Sequence, residues 1–436
     1  MENKNIDNSY PRILVISNNA FSSITNNGKT LASFFKNFPA ENIAQLYFNQ
    51  ELPSDNYYKK YYRITDLEII KSFFSKVEPG EIVESLNFEK TNIIDRKNKS
   101  NLKSKIKKYN IFRIGREILW LTQKWKTTSL DIWLEEFSPE IIFLCAGDSG
   151  FSYDITDYIQ KKFNSKLVIY ITDDYILPRK IYSPFWRIRR NYIYAKMKKA
   201  VQKSDLFITI SEEMRVTYKN LFGVDSILAM NMTENMRDPK YLIEDKECIT
   251  FLYAGGLHFK RYETLNLLAK SIAKYNLNTK GKKAILKIYS GSEPSRDIKR
   301  YLNIKGASMF CGSLTPQELK VELNRCDIPV HVESFDRKCI ESTRLSISTK
   351  IPEYLSLGKP VLAIGPSEVA SMKYLEECAF CITNSDIIYE ELMKFLADNK
   401  LKENLSNEAL NKFNKNHNTD IYVKVMREHM QRLINN

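Results

Sequence analysis

The stretch Arg344-Leu-Ser-Ile-Ser-Thr-Lys-Ile-Pro-Glu-Tyr-Leu-Ser-Leu-Gly-Lys-Pro-Val-Leu-Ala-Ile-Gly-Pro366 decides the reading of the chain. A polar run ending in Lys350 leads into a short helical segment with Glu353 in its first turn, where the helix dipole favours a carboxylate. Gly358-Lys359-Pro360 then turns the chain into the apolar run Val361–Ile364, a strand candidate of the kind covered on both faces. Gly365 follows at the strand's end.

Working outward, the same succession recurs. The second half carries strand candidates at Thr250–Ala254, Ala284–Tyr289, Ser308–Cys311 and Ile328–Val332. The first half carries them at Ile13–Ser17, Ile141–Cys145, Leu167–Ile171 and Leu206–Ile210. Longer amphipathic stretches separate them, which predicts two successive α/β units with parallel sheets. The joint is expected near Asn231–Glu247, where charged residues replace the periodicity, and no internal repeat is present. A segment at 56–126 breaks the strand–helix alternation. It contains Arg96–Lys108, with seven basic residues in thirteen and no acid, and reads as a solvated insertion in the first domain or a contact for an anionic surface.

The chain has 436 residues, enough for two domains at roughly 150–200 residues each. Its 43% hydrophobic and 27% charged content exclude wholesale disorder. The N-terminus MENKNIDNSY lacks the apolar core of a secretory signal, and no apolar run of about 18–20 residues exists to span a membrane. A formal charge of +14 asks for an anionic partner: nucleic acid, an acidic membrane surface or a phosphorylated substrate. Seven scattered cysteines with a single C-x-x-C, Cys378 and Cys381, read as buried thiols of a cytoplasmic protein rather than a disulfide or zinc framework.

Three familiar chemistries are set aside. Asn27-Gly28-Lys29-Thr30 resembles the end of a phosphate-binding Walker loop, but Ser23 stands where its first glycine is required. Gly28 keeps a smaller role there, letting backbone approach a ligand at a helix start. A G-x-G-x-x-G dinucleotide fingerprint is absent after every strand. The histidines, 258, 331, 417 and 429, are too far apart in sequence for two to share one helix face as zinc ligands.

What remains is a set of glycine-rich loops at strand ends. Tyr253-Ala-Gly255-Gly256-Leu-His258-Phe-Lys260-Arg261 follows a strand and precedes a helix expected at Thr264–Ala273. Paired glycines, a helix start and two cations suit a diphosphate. Ser290-Gly291-Ser292 follows the next strand. Gly312-Ser313-Leu314 leads into a helix at Pro316–Arg325, with Thr315 and Glu318 at the capping-box spacing.

With these loops the 344–366 stretch resembles the donor-nucleotide motif of GT-B glycosyltransferases, particularly bacterial family 4-like enzymes of surface-polysaccharide and capsule assembly. The resemblance covers Thr250–Pro366 well and the first half weakly. It implies two Rossmann-like α/β domains facing across a cleft that holds the active site. It assigns Glu353 to the ribose hydroxyls, Ser348, Thr349 and Lys350 to the diphosphate or sugar, Arg261 with Lys260 to the leaving diphosphate, and Gly312–Leu314 to the base. The alternative readings are a helix-dipole carboxylate for Glu353 and an ordinary turn for Gly358–Pro360. One departure stands out. The family places a second glutamate eight residues before the helix glutamate, and that position is Leu345, which leaves Glu333 or Glu341 as substitutes.

The resemblance also implies glycosyl transfer without a metal or other cofactor, the leaving nucleoside diphosphate being stabilised by cations and helix starts. Residues 1–257 contain no histidine, so the first-domain histidine of many relatives is missing. Asp173 and Asp174 at a strand end, then Asp148, are the candidates to orient or deprotonate the acceptor; capping and turn formation are the competing reading. Arg179–Lys203 has nine Lys/Arg in twenty-five residues, no acid, and interleaved aromatics. Trp186, Arg187, Arg189 and Arg190 are therefore candidates for an anionic membrane surface, against a helix with aromatics inward and cations outward. Nucleic acid is the least favoured partner.

The expected architecture is 1–235 as an acceptor-binding domain, 236–415 as the nucleotide-sugar donor domain, and 416–436 as a C-terminal helix returning to the first. The expected function is transfer from a nucleotide-sugar, a UDP-sugar, to a glycan or lipid-linked acceptor by a cytoplasmic enzyme peripheral to the membrane. The competing class is a non-catalytic nucleotide-sugar or glycan binder keeping the same fold.

Overall fold

The computed structural model describes residues 10–22, 26–55, 57–84, 110–179, 184–241 and 247–435. The basic run Arg96–Lys108 lies outside them. The chain divides into two compact units. The first comprises Met1–Ile210, Met214–Ala229 and Val423–Asn436, and the second Ser211–Glu213 and Met230–Tyr422. The C-terminal helix Thr419–Asn435 thus contributes its residues from Val423 onward to the first unit, where Arg427 donates to the Tyr10 hydroxyl.

In the first unit the described strands are Ile13–Ser17 (β1), Ile43–Tyr47 (β2), Lys60–Arg63 (β3), Glu81–Ile82 (β4), Ile141–Ala146 (β5), Lys166–Ile171 (β6), Leu206–Thr209 (β7) and Ile227–Leu228 (β8). They form one sheet in the order β4-β3-β2-β1-β5-β6-β7-β8, parallel except for the antiparallel β3–β4 edge. β3 and β4 correct the reading of 56–126 as wholly an insertion: Lys60–Arg63 continues the parallel sheet beside β2. β2 escapes sequence periodicity because Gln45 sits in the middle of a buried strand. Its amide accepts from the Phe21 backbone N–H and donates to Ser17 Oγ and Asn19 O, so the polar group is satisfied in place.

The second unit contains Cys248–Ala254 (β9), Lys283–Tyr289 (β10), Ser308–Gly312 (β11), Ile328–Val332 (β12), Val361–Ile364 (β13) and Ala379–Ile382 (β14). Its sheet runs β11-β10-β9-β12-β13-β14, all parallel. This is the doubly wound order of a Rossmann fold, whose direction of winding reverses between β9 and β12. The helix Arg261–Asn278 covers one face with Leu265, Leu268, Ala269 and Ile272, spaced i, i+3, i+4, i+7 and fully buried. These pack in one core with Phe251, Leu286, Ile288 and Val330. Full burial of each Leu, Ile, Val or Phe side chain among them is worth about 1.5–3 kcal/mol.

Candidate functional site

The reversal point of the second sheet is physically open. β9 and β12 pair only at Ile328 with Phe251 and Pro329 with Leu252, after which the strands diverge. Pro329 has no N–H to extend the ladder. The gap is filled by Tyr354, whose buried hydroxyl accepts from the Ala254 amide at 3.0 Å and donates to the Ala254 carbonyl at 3.1 Å. One phenol therefore replaces a lost strand partner and ties the Ile351–Leu355 helix to the end of β9. Tyr354→Phe is expected to leave both Ala254 groups buried and unpaired. Its melting temperature should fall, reflecting about 1–3 kcal/mol per orphaned group in a denaturation series.

That anchor places Glu353 and Lys350 beside the β9 end. Glu353 is buried, and its Oε2 accepts from Lys350 Nζ at 2.9 Å while the lysine remains half-exposed. Ser348 Oγ accepts from the Lys350 amide. The chain after β9 then forms the loop Gly255–Lys260. Phe259 and Lys260 both hold the left-handed backbone, with φ of 54° and 55°, a conformation that costs non-glycine residues about 1 kcal/mol or more each. The His258 ring lies over Gly256, where any Cβ would collide with it. Burial, aided by Arg261, holds His258 below the ordinary histidine value.

The helix Arg261–Asn278 starts without a side-chain cap, and its Arg261 and Glu263 amides donate to the His258 and Lys260 carbonyls at 3.4 and 2.9 Å. Arg261 forks onto Glu333 with contacts of 3.0 and 3.2 Å. Glu333 directly follows β12 and is 2% exposed, and its backbone carbonyl accepts from Thr264 Oγ1. Burial would raise the Glu333 carboxyl, but Arg261 and His331 reverse that and bring it down to about 2. Ser371 Oγ donates to the same carboxylate at 3.3 Å. Beside them Lys260 donates to Asp336 at 2.7 Å; that hydrogen bond, with the Cys339 amide, holds the Asp336 carboxyl near 2. Both loop cations are thus tied to the carboxylates that follow β12, bracketing the reversal point.

The remaining predicted donor residues lie at other strand ends of this sheet. Gly291 follows β10 with open space around it. Gly312 ends β11 at φ +89° and accepts from the Ser290 amide, and Ser313 and Leu314 lead into the helix Pro316–Arg325 with its Thr315–Glu318 capping box. Leu345, standing where a second glutamate was expected, is buried and its carbonyl accepts from Ser211 Oγ. Sequence reasoning assigned no role to Tyr354, His331, Ser371 or Gly365. His331 was readable, since it lies two residues from Glu333 on a strand and shares its face. Gly365 was not: its place is fixed by Glu333, whose Cβ would lie 2.8 Å from any Cβ there.

The first-unit candidates fare differently. Gly28 is buried in its helix, and a Cβ there would strike Ala20 O and Ser22. The missing Cβ there leaves room for the protein's own backbone. Asp174 Oδ1 accepts from the Ile176 and Leu177 amides, so it builds the loop after β6. Asp148 is clamped by Arg113 at 2.7 Å and Arg189 at 2.8 Å. Burial pushes its carboxyl up, and the two guanidiniums more than offset this and hold it below the ordinary range. Asp173 accepts from the Tyr175 hydroxyl at 3.4 Å.

The surface read from Arg179–Lys203 also needs correction. The helix Pro184–Lys203 leaves Phe185, Arg187 and Ile188 exposed and Trp186 half-buried. Arg189 is buried against Asp148, and Arg190 bonds to Ile176 O and stacks 5.3 Å from the Tyr194 ring. Two of the three arginines expected to meet headgroups are spent inside the fold.

Neither a family model nor a curated protein sequence matches the chain. Solved structures do. Anabaena HepE in complex with UDP matches with a TM-score of 0.64 at 12% identity, covering 97% of this chain and 100% of its own. The α,α-trehalose-phosphate synthase (UDP-forming) of Burkholderia xenovorans gives 0.59 at 9%, covering 98% and 100%. A Rickettsia africae glycosyltransferase gives 0.59 at 10%, covering 99% and 100%. At such identity the likeness concerns architecture: the chain has the GT-B fold, two Rossmann-like α/β units, that these glycosyltransferases share.

Proposed function

We propose that the chain is a glycosyltransferase that takes a hexose-type sugar from a UDP-sugar bound at the reversal point of the second sheet. The observation that carries this is the convergence there of an uncapped helix start, Arg261 oriented by buried Glu333, and the Lys350–Glu353 pair anchored by Tyr354. A crevice at the carboxyl ends of the strands, at the switch point, is where open α/β sheets bind ligands. The neighbouring structures include HepE with UDP-glucose, which agrees with this donor class.

In this reading the Glu353 carboxylate accepts from the ribose hydroxyls. Arg261, Lys350, Lys260 and the backbone of Gly256 and Ser348–Thr349 meet the diphosphate. The Gly312–Leu314 loop holds the base, Gly291 lines the same side, and Glu333 fixes the guanidinium. As the glycosidic bond to phosphate breaks, negative charge grows on the departing diphosphate and these cations and amides stabilise it. No metal ion has to take part in that step.

Asp173, just past the carboxyl end of β6, is the proposed group for the acceptor hydroxyl. The acceptor is proposed to be a glycan or lipid-linked glycan of surface-polysaccharide assembly, reached by a cytoplasmic enzyme held on the membrane face.

Incubation with single UDP-sugars tests this. Slow UDP release without acceptor is expected from the wild type, and a non-catalytic binder would release none. Asp173→Asn is expected to lower acceptor-dependent transfer at least about 100-fold while the UDP-induced rise in melting temperature is kept; unchanged turnover in that variant would remove Asp173 from the mechanism.

A further inference from the structure

The cations of the proposed donor site each have a carboxylate beside them. Arg261 is forked onto Glu333, Lys260 lies 2.7 Å from Asp336 and 4.0 Å from Glu263, and Lys350 lies 2.9 Å from Glu353. A diphosphate arriving there brings negative charge that these pairs do not balance. At neutral pH, histidine is the side chain that can gain a positive charge in response.

His258 is placed to do so. It stands exposed in the loop between β9 and the helix Arg261–Asn278. Its Nε2 lies 3.4 Å from Arg261 Nη1. A guanidinium carries donors only, so the facing nitrogen holds its lone pair and the proton of the neutral ring sits on Nδ1. Nδ1 and Cε1 are the ring atoms that a Cβ on Gly256 would strike first. The N–H edge of the ring thus lies along the glycine backbone that the diphosphate is proposed to approach.

The loop is bent to hold the ring there. Phe259 and Lys260 are both left-handed, with φ of 54° and 55°, and the Tyr253 hydroxyl donates to the Gly256 carbonyl at 2.7 Å on the other side. Two strained residues in succession, beside a cluster of charges, aim one side chain.

The charge of the ring is poised. Burial and then Arg261 hold His258 below its ordinary value, while Glu333 pulls the other way. Tyr253 stays uncharged, because burial pushes its hydroxyl up. The Glu333 and Asp336 carboxyls sit near 2, and Lys260 and Arg261 are held above their ordinary values. None of these neighbours changes charge between about pH 5 and 8, the range in which histidine does. An anion against the ring favours its imidazolium form.

We propose that His258 is a ligand of the donor diphosphate that takes up a proton as the nucleotide binds. It supplies positive charge that the paired Arg261, Lys260 and Lys350 do not, and it stays against the diphosphate as that group departs. The proposal rests on the donor-site reading above. Its sign follows from linkage: the ring is more basic in the complex, so its contribution to affinity is present at low pH and lost as pH rises.

Calorimetric titration of UDP in Pipes and in Tris, whose ionisation heats differ, reads proton uptake as a difference in observed enthalpy. Near about pH 7, wild type is expected to take up more protons than His258→Gln. The variant should bind UDP about tenfold more weakly at about pH 6, with the two affinities converging by about pH 9. The terminal phosphate of UDP titrates in both titrations, so the difference between the proteins isolates the ring. His258 is exposed, and far-UV circular dichroism of the variant should match wild type. Equal proton uptake, or equal affinity at the lower pH, would overturn the role of His258 while leaving the donor site standing. Wild type that ignores millimolar UDP would overturn the donor-site reading and this proposal with it.

Discussion

Arg261→Met is expected to destabilise the second unit by about 3–5 kcal/mol, because it strands Glu333 as a buried charge without its cation. The pair is nearly sealed: the Glu333 side chain is 3% exposed and that of Arg261 14%. The loss has a pH signature. With Arg261 in place, the Glu333 carboxyl sits near 2 when folded against an ordinary 4.5. Its contribution to stability is therefore present above about 4.5 and fades as pH falls towards 2, where the unfolded chain takes up a proton that the native state does not. Without the guanidinium, burial dominates and raises the folded pKa above the ordinary value, so the dependence changes sign and the variant loses stability as pH rises. Urea denaturation of both proteins should show a wide gap at neutral pH that begins to narrow above about 4.5, as the variant's carboxyl protonates, and goes on narrowing to about 2. The same substitution removes a cation from the proposed diphosphate site. Lowered stability without weakened UDP binding would mean that the pair is architectural only.

The second large effect is expected at Glu353. Glu353→Gln keeps the shape of the side chain but removes its charge and presents an amide to the ribose hydroxyls. Hydrogen bonds to a charged acceptor are worth about 1.5–3 kcal/mol each, so losing two should weaken UDP about 100-fold. Stability of the unliganded protein should change much less than in Arg261→Met, because Lys350 keeps 24% of its side chain in water, against 14% for Arg261, and Gln still accepts a hydrogen bond from it. A variant that binds UDP as tightly as wild type would show that the Glu353–Lys350 pair merely caps its short helix.

Much of the strand-end edge of the second sheet was legible because local chemistry and topology coincide there. Parallel strands put all their carboxyl ends on one edge, so the Gly255, Gly291, Gly312 and Glu333 loops had to converge once their strands were identified. The Thr315–Glu318 capping box is a contact between neighbours in sequence and was read directly. What stayed hidden depends on pairs far apart in the chain. Tyr354 spans 100 residues to reach Ala254, and Arg261 spans 72 to reach Glu333. Arg189 was misread because a cation on a basic helix looks solvent-facing until Asp148 is found beneath it.

The claim at the centre of this account is that the reversal point of the second sheet holds a nucleoside diphosphate against Arg261 and Glu353. Calorimetric titration of UDP into wild type and Glu353→Gln tests it most directly. The account predicts saturable binding to wild type and roughly 100-fold weaker binding to the variant. No heat from wild type at millimolar UDP, or indistinguishable isotherms for the two proteins, would contradict it.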